Sequence, residues 1–481
     1  MEACLLSSSS SYSLGNTKSL SRSCSRTYPH IIFVSGIRRS SNRWTRLSVT
    51  SSFRPTAVEN STFDVVVVGA GIIGLTVARR FLMTTNLSVA VVDAGVPCSG
   101  ATGAGQGYIW MTHKTPGSET WDLCNRSKKL WEDLVDELRF HGVDPSQELG
   151  WKKTGSLLIG RTPEESEMLA SRVKLLSEAD LRAEFLSAGS LAAEEPSLQV
   201  GRDWSAAFVP DDCQIDAQLA VDFIEKGNRS SGLQGRYKEF FHEPVISLVR
   251  SDYGGEVVGV QTSKNILYCE QALVVATGAW SGSLIQDLFK GLNISFSVPV
   301  IPRKGYLVIL ENFQKMQLNH GIMEFGYVDH QIISRSSNLS ASGVSECEKL
   351  SISMTATTDA TGNLLLGSSR QFIGFDNGMD ESIVNCILDR AQQFFPALRD
   401  LPRQDMLRSR KIRIGFRPYM HDGKPIIGPV PGLPKMILAA GHEGGGLTMA
   451  LGTAEMVVDM VLNNVPKVDP TPYSLQGRCC S

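Results

Sequence analysis

Gly69, Gly71 and Gly74 stand in the spacing G-x-G-x-x-G, and Asp93 follows about twenty residues on. That pattern suits a dinucleotide. Gly69 permits a tight turn, Gly71 lets backbone approach a pyrophosphate, Gly74 lets a helix pack close to a strand, and an acid at Asp93 can accept hydrogen bonds from a ribose. Far along the chain Arg417 is framed by Gly415 and Pro418. Its backbone is thereby restricted, and its planar, permanently charged fork can be held in one direction. Beyond it, Gly441 to Gly446 lead out of the apolar run MILAA towards a helix beginning at about Leu447. An amide-rich turn with a helix N-terminus behind it suits the stabilisation of negative charge.

The elements that must position these residues are legible in the patterning. Val65 to Val68 form an apolar run too short for a helix and bounded by a turn, which predicts a parallel strand buried on both faces. A helix after Gly74 and a second strand closing at Asp93 complete a strand–turn–helix–strand unit. In Cys98 to Trp110, Gly100, Gly103, Gly105 and Gly107 alternate with small residues, so the backbone is expected to pass the cofactor again there. Helices are predicted over Trp121 to Phe140, Pro163 to Leu176 and from Asp216 to Gly227, with a strand at Gly155 to Ile159. The strand candidates Val245 to Val249, Val257 to Thr262 and Ile266 to Cys269 lead into Ala272 to Ser281, a second buried strand running into a glycine turn. Its turn residues Ala276, Thr277 and Gly278 are placed at the carboxyl ends of the strands, where ligands bind. Between Ser297 and Ser369 short alternating segments predict an antiparallel sheet in a second domain, with Ser336 to Lys349 as an exposed loop. A helix over Glu381 to Phe395 follows.

At 481 residues the chain can hold two or three cores, and its formal charge of −2 carries no basic stripe for a nucleic acid partner. The average hides an asymmetry. Residues 1–56 are rich in serine and hold seven arginines and Lys18 against Glu2 alone, which leaves the remainder distinctly acidic. A Ser- and Arg-rich, acid-poor leader without a long apolar core predicts an organellar transit peptide, in a chloroplast rather than a mitochondrion. No apolar run is read as a membrane span, the nearest candidate being interrupted by Asp64 and Arg79. The ten cysteines show no C-x-x-C pair and no histidine spacing for zinc, so they are read as reduced thiols and no metal is expected.

Taken together, GAGIIG, SGATGAG, VVATGAWS, PRKGY, GNLLLGSSRQFIGFD, GFRPYMHDGKPIIGP and AAGHEGGGLTMALGTAE, in that order, resemble the D-amino-acid oxidase family of FAD-dependent oxidoreductases. The C-terminal motifs are similar to its branch of glycine oxidases, D-hydroxyproline dehydrogenases and cyanide-forming glycine dehydrogenases. The resemblance implies an α/β Rossmann-type FAD-binding domain and an α+β substrate domain containing an antiparallel sheet. Residues 60–118, 205–288 and 401–470 would build the first, 119–204 and 289–400 the second, and 471–481 a tail. Cofactor contacts would come from Gly69, Gly71, Ile72, Ile73, Gly74, Asp93, Ala94, Thr102, Gly103, Ala276, Thr277, Gly278, Gly415, Gly444, Gly445, Gly446, Leu447 and Thr448. Arg417 would bind the substrate carboxylate as a two-pronged ion pair. Tyr306 would line the substrate pocket or simply pack. His442 would lie at the flavin's pyrimidine end, as a positioning residue rather than a general base, and Glu443 would face a substrate amine or solvent. Arg370 is read as structural.

The chain departs from the family pattern at Asp93, where Glu is usual, and at His421, where Pro is frequent. Gly415 stands where covalently flavinylated relatives carry cysteine, so FAD is expected to be non-covalent. The implied reaction is oxidation of a small amino acid or secondary amine to an imine by hydride transfer to flavin N5, with oxygen or another acceptor restoring the cofactor. A 2-hydroxy-acid dehydrogenase and a flavoprotein scaffold with little turnover are the rival readings.

Overall fold

Four consecutive valines should form a strand buried on both faces, and they do. The computed structural model describes residues 59–251, 255–290, 296–328, 350–408 and 410–479. In it β1 (Glu59–Val68) lies at the centre of an eight-stranded sheet. Val65 and Val67 enter one core, while Val66 and Val68 enter another on the opposite face. The helix α1 (Ile72–Thr84) and the strand β2 (Val89–Val92) follow, with β2 parallel to β1. On β1's other edge runs the parallel strand Asn265–Val275, and Leu433–Ala440 continues the parallel order beyond it. Tyr237–Phe240 extends the sheet past β2, and Ile426–Val430 closes the far side antiparallel. The helices α1, Trp121–Phe140, Ala217–Gly232 and Gly446–Leu462 cover one face, their apolar side chains sharing a single core with the strands.

Two expectations about this layer change. The expected strands Ile266 to Cys269 and Ala272 onward are one continuous strand, whose first half also carries the antiparallel strands Val257–Thr262 and Val245–Arg250. Gly227 does not end its helix, which is capped by Asp216 and runs on to Gly232. A β-carbon at Gly227 would stand 2.2 Å from Arg79 Nη1, so this glycine makes room for a crossing side chain from α1.

The second eight-stranded sheet has the order Arg410–Tyr419, Ile301–Leu310, Leu364–Arg370, Ser351–Thr358, Gly321–Glu324, Ser156–Gly160, Ser205–Val209, Glu184–Leu186. It is antiparallel except where Gly321–Glu324 runs parallel to Ser156–Gly160. The helix Glu381–Gln392 packs Ile383, Val384, Ile387 and Leu388 into its core. Two strands placed by sequence in the first layer hydrogen-bond here instead. Ser205–Val209 pairs with Ser156–Gly160, and Arg410–Tyr419 pairs along its whole length with Ile301–Leu310. Strand pairing is set by partners distant in sequence, which local pattern does not report. Conversely, Trp121–Phe140 belongs with the first layer. Trp131 Nε1 donates to Leu447 O at 3.0 Å, and Gly452 N donates to Ser127 Oγ at 3.0 Å.

Glu443–Leu462 is long and apolar enough to pass as a membrane span, contrary to the sequence reading. Most of it is buried, because this helix is apolar all round and is walled in by α1, Trp121–Phe140 and the sheet. The leader 1–56 and the loop Ser336 to Lys349 lie outside the described residues.

Candidate active site

A cavity of about 710 Å³ runs from the carboxyl ends of the first sheet to the face of the second. That size falls within the range of cofactor sites, roughly 300–1,000 Å³. Its first end is built by the glycine turn. A β-carbon at Gly69, where φ is +112°, would stand 2.5 Å from Ala276 O, so only glycine lets this turn nest on the turn after Asn265–Val275. A β-carbon at Gly74 would stand 1.9 Å from Gly69 O. Helix α1 begins with no side-chain cap at Gly71, which leaves amide hydrogens aimed at the cavity as an anion site. One of them is taken: Ile72 N donates to Thr102 Oγ1 at 3.1 Å, which ties the Cys98-to-Trp110 loop to the helix.

Asp93 lines the same end, and its two oxygens accept from Ala70 N and Gly95 N, each at 2.7 Å. A carboxylate offers about four lone-pair sites, so capacity remains for a ribose hydroxyl. Glu243 stands nearby, buried, and accepts from Thr262 Oγ1 at 2.9 Å and Asn265 Nδ2 at 2.7 Å. Sequence reasoning missed Glu243. The signal was present, because it follows the parallel strand Tyr237–Phe240 at its carboxyl end, where ligands are met.

At the other end Arg417 enters from the second sheet. Its register partner on the neighbouring strand is Arg303, and Gly305 pairs with Gly415. A β-carbon at Gly305 would stand 2.1 Å from Arg417 Nη1, so the glycine of PRKGY lets the guanidinium lie across the adjacent strand. Arg417 Nη1 donates to Ser369 O at 3.0 Å, which fixes one prong and leaves the rest of the fork to the cavity. Tyr327, which the sequence did not flag, lines this end. Arg370 lies over its ring at 4.1 Å, a cation–π contact that seats the phenol.

His442, Glu443, Gly444, Gly446 and Leu447 close this end, where the helix Gly446–Leu462 starts without a side-chain cap. His442 Nε2 lies 3.0 Å from Thr453 Oγ1, and burial pushes the imidazole down to about 3. It is therefore neutral and locked onto the helix that follows it, the arrangement of a positioning residue. Its depressed pKa has a sign: a neutral buried histidine contributes stability above its unfolded value, about 6.5, and loses it as pH falls towards 3. The folding equilibrium constant should drop by up to about tenfold per pH unit below 6.5 through this group, a slope that His442→Gln should reduce in denaturant titrations. Burial also raises the Glu443 carboxyl, but Arg303, Arg417 and Arg370 outweigh burial and hold it below the usual carboxylate range. Arg303 Nη1 meets Glu443 Oε1 at 3.2 Å.

Of the residues singled out by sequence, Gly69, Gly71, Ile72, Ile73, Asp93, Ala94, Thr102, Ala276, Thr277, Gly278, Gly415, Arg417, His442, Gly444, Gly446 and Leu447 line the cavity. Gly74 and Gly103 support it from behind; at Gly103 a β-carbon would stand 2.3 Å from Cys98 O. Thr448 is buried and donates to Tyr108 O at 2.8 Å, and Gly445 faces a neighbouring chamber. Tyr306 does not belong to the site. Strand alternation sends Gly305 and Leu307 into the cavity and Tyr306 to the opposite face, where it is 1 % exposed. There its hydroxyl donates to Gly378 O at 2.9 Å and accepts from Asp380 N at 3.1 Å. Tyr306→Phe should lower stability by about 1–2 kcal/mol and leave substrate KM unchanged, measured by denaturant unfolding and steady-state kinetics.

An elongated cavity with a glycine-cradled, uncapped helix N-terminus at each end and an acid at one of them fits a dinucleotide carrying a reactive ring. Fold and site together define a flavoenzyme-type oxidoreductase. The family model for FAD-dependent oxidoreductases, DAO, matches residues 64–460, so the chain belongs to that family and uses FAD. Among curated relatives, glycine oxidase of Geobacillus kaustophilus is 25 % identical over 416 residues, covering 86 % of this chain and 96 % of that one. Glycine oxidase of Bacillus subtilis is 24 % identical, covering 83 % and 93 %. Among solved structures, the Geobacillus kaustophilus glycine oxidase superposes with a TM-score of 0.69 at 22 % identity, covering 86 % and 99 %. The L-proline dehydrogenase of P. horikoshii also reaches 0.69, at 20 % identity, covering 87 % and 97 %. These likenesses place the fold.

Proposed function

We propose that the protein oxidises a small amino acid or secondary amine to an imine, with the substrate carboxylate anchored by Arg417. The observation that carries this reading is the Arg417 guanidinium, steadied by Ser369 O and facing the cavity end closed by His442 to Leu447. Non-covalent FAD supplies the two-electron acceptor. The chain's own part is binding, orientation and exclusion of water. The fork of Arg417 fixes the carboxylate, Tyr327 forms a wall held by Arg370, and the ionised Glu443 offers an acceptor for a substrate amine. An amine bound in neutral form needs no dedicated base, in keeping with a neutral, immobilised His442.

The names of the relatives support small amino acids and amines as the class to test. Anaerobic mixing of the holoprotein with glycine, sarcosine, proline and matched 2-hydroxy acids should bleach the flavin with an amine. Bleaching by hydroxy acids alone, or by none of the panel, would refute the reading. The composition of residues 1–56 supports import into a plastid. Retention of a fluorescent fusion in the cytosol would count against it.

A further inference from the structure

Behind the wall formed by His442 and Glu443 lies a second chamber of about 90 Å³, with Lys114, His113, Arg303, His421 and Gly445 around it. Three nitrogen-bearing side chains there have unmet hydrogen-bonding capacity among the described residues. His113 is 7 % exposed, and its Nδ1 has no partner. Arg303 is 6 % exposed; its Nη1 meets Glu443, but its Nε has no partner. The Lys114 ammonium, for which no side-chain hydrogen bond or ion pair is found, stands 3.5 Å from where a β-carbon on Gly445 would lie. Buried donors left unpaired are destabilising, which applies to His113 Nδ1 and Arg303 Nε, while Lys114 is only half-buried. Glu443 is an acid on the same wall, but it offsets only one of the two cations, Lys114 and Arg303. Thr115, Ser118, Thr120 and Tyr419 add hydroxyl groups to the lining, and Val328, Met420 and Met449 add apolar surface.

We propose that this chamber is an anion subsite for a carboxylate-sized group. The group is either the second acid of a bi-acidic amine held at Arg417 or a separate small acid. The first source rests on the amine-oxidation reading above; the second does not. Arg303, through Nε, and Lys114 would supply charge-assisted hydrogen bonds and His113 a neutral one, while Glu443 keeps Arg303 partly neutralised when the chamber holds no anion. His113 is kept neutral by burial and by the neighbouring cations Lys114, Arg172 and Arg370.

The test uses the holoenzyme and the matched pair sarcosine and iminodiacetate, which differ by one carboxylate. Lys114 does not line the main cavity. If the second acid of the substrate fills the chamber, Lys114→Gln should raise KM for iminodiacetate by about ten- to a hundredfold with sarcosine unchanged, and Lys114→Arg should restore it. If a separate acid fills it, acetate or phosphate should perturb the wild-type flavin spectrum without competing with sarcosine, and Lys114→Gln should abolish that perturbation. Equal KM ratios in the two proteins together with identical anion titrations would overturn the proposal. Should no amine be oxidised at all, the amine reading falls, and the spectral titration still decides the chamber.

Discussion

Replacing Arg417 with alanine should lower kcat/KM for carboxylated amines on the order of 10²–10³-fold, mainly through KM, while the protein retains FAD. The magnitude is that of removing one partner from a desolvated, hydrogen-bonded charge pair, roughly 2–5 kcal/mol. Cofactor retention follows from placement: the glycine turn, Asp93 and Thr102 sit at the other end of the cavity and hold one another without Arg417. Arg417→Lys should recover only a small part, because an ammonium lacks the planar fork that grips both carboxylate oxygens. The glycine beneath should behave similarly. Gly305→Ala puts a methyl where the guanidinium lies and should raise KM although no charged group is removed. An unchanged KM in Arg417→Ala would remove this residue from the substrate site, and with it the geometric basis for the proposed reaction.

Alanine substitutions at Gly74 and Gly71, both just beyond the end of β1, should fail in different ways. At Gly74 the new methyl would meet Gly69 O at 1.9 Å, a backbone atom that cannot turn aside as a side chain could. Helix α1 must then move off the strand, and the expected outcome is a loss of about 3 kcal/mol or more and little soluble holoprotein. At Gly71 the backbone is extended and the nearest atom is Thr102 Oγ1 at 3.4 Å, an ordinary contact. Gly71→Ala should therefore fold with a near-normal melting temperature. Its methyl, however, occupies the space over which a pyrophosphate approaches the uncapped helix, so FAD affinity should fall at least about tenfold. Thermal melts and the ratio of flavin to protein absorbance separate the two outcomes. A Gly71→Ala protein that binds FAD normally would contradict the assignment of this turn to the pyrophosphate.

Much of the site was legible because its parts are local. The glycine turn, its helix and Asp93 lie within one strand–helix–strand unit, and the glycines are demanded by contacts inside it or with the next strand's turn. The same holds for the uncapped helix after Gly446. Tyr306 and Tyr327 show where legibility ends. One residue of strand phase decides whether position 306 faces cavity or core, and a motif match does not carry that phase. Tyr327 follows the short strand Gly321–Glu324, and nothing around it in sequence signals a ligand.

The sequence by itself determined that a dinucleotide is bound and the pieces of its cradle, since a pyrophosphate-binding turn is a property of a few consecutive residues and their backbone. FAD followed from the order of motifs along the whole chain. Tertiary structure decided the reacting end. Arg303 and Arg417 are separated by more than a hundred residues yet are paired across two strands, and Arg370 reaches the site through the ring of Tyr327. It also decided that Ser205–Val209 and Arg410–Tyr419 join the second sheet, and that Lys114, His113 and Arg303 share a chamber. Those arrangements depend on which distant strands hydrogen-bond and in what register, and register is settled by packing over the whole core.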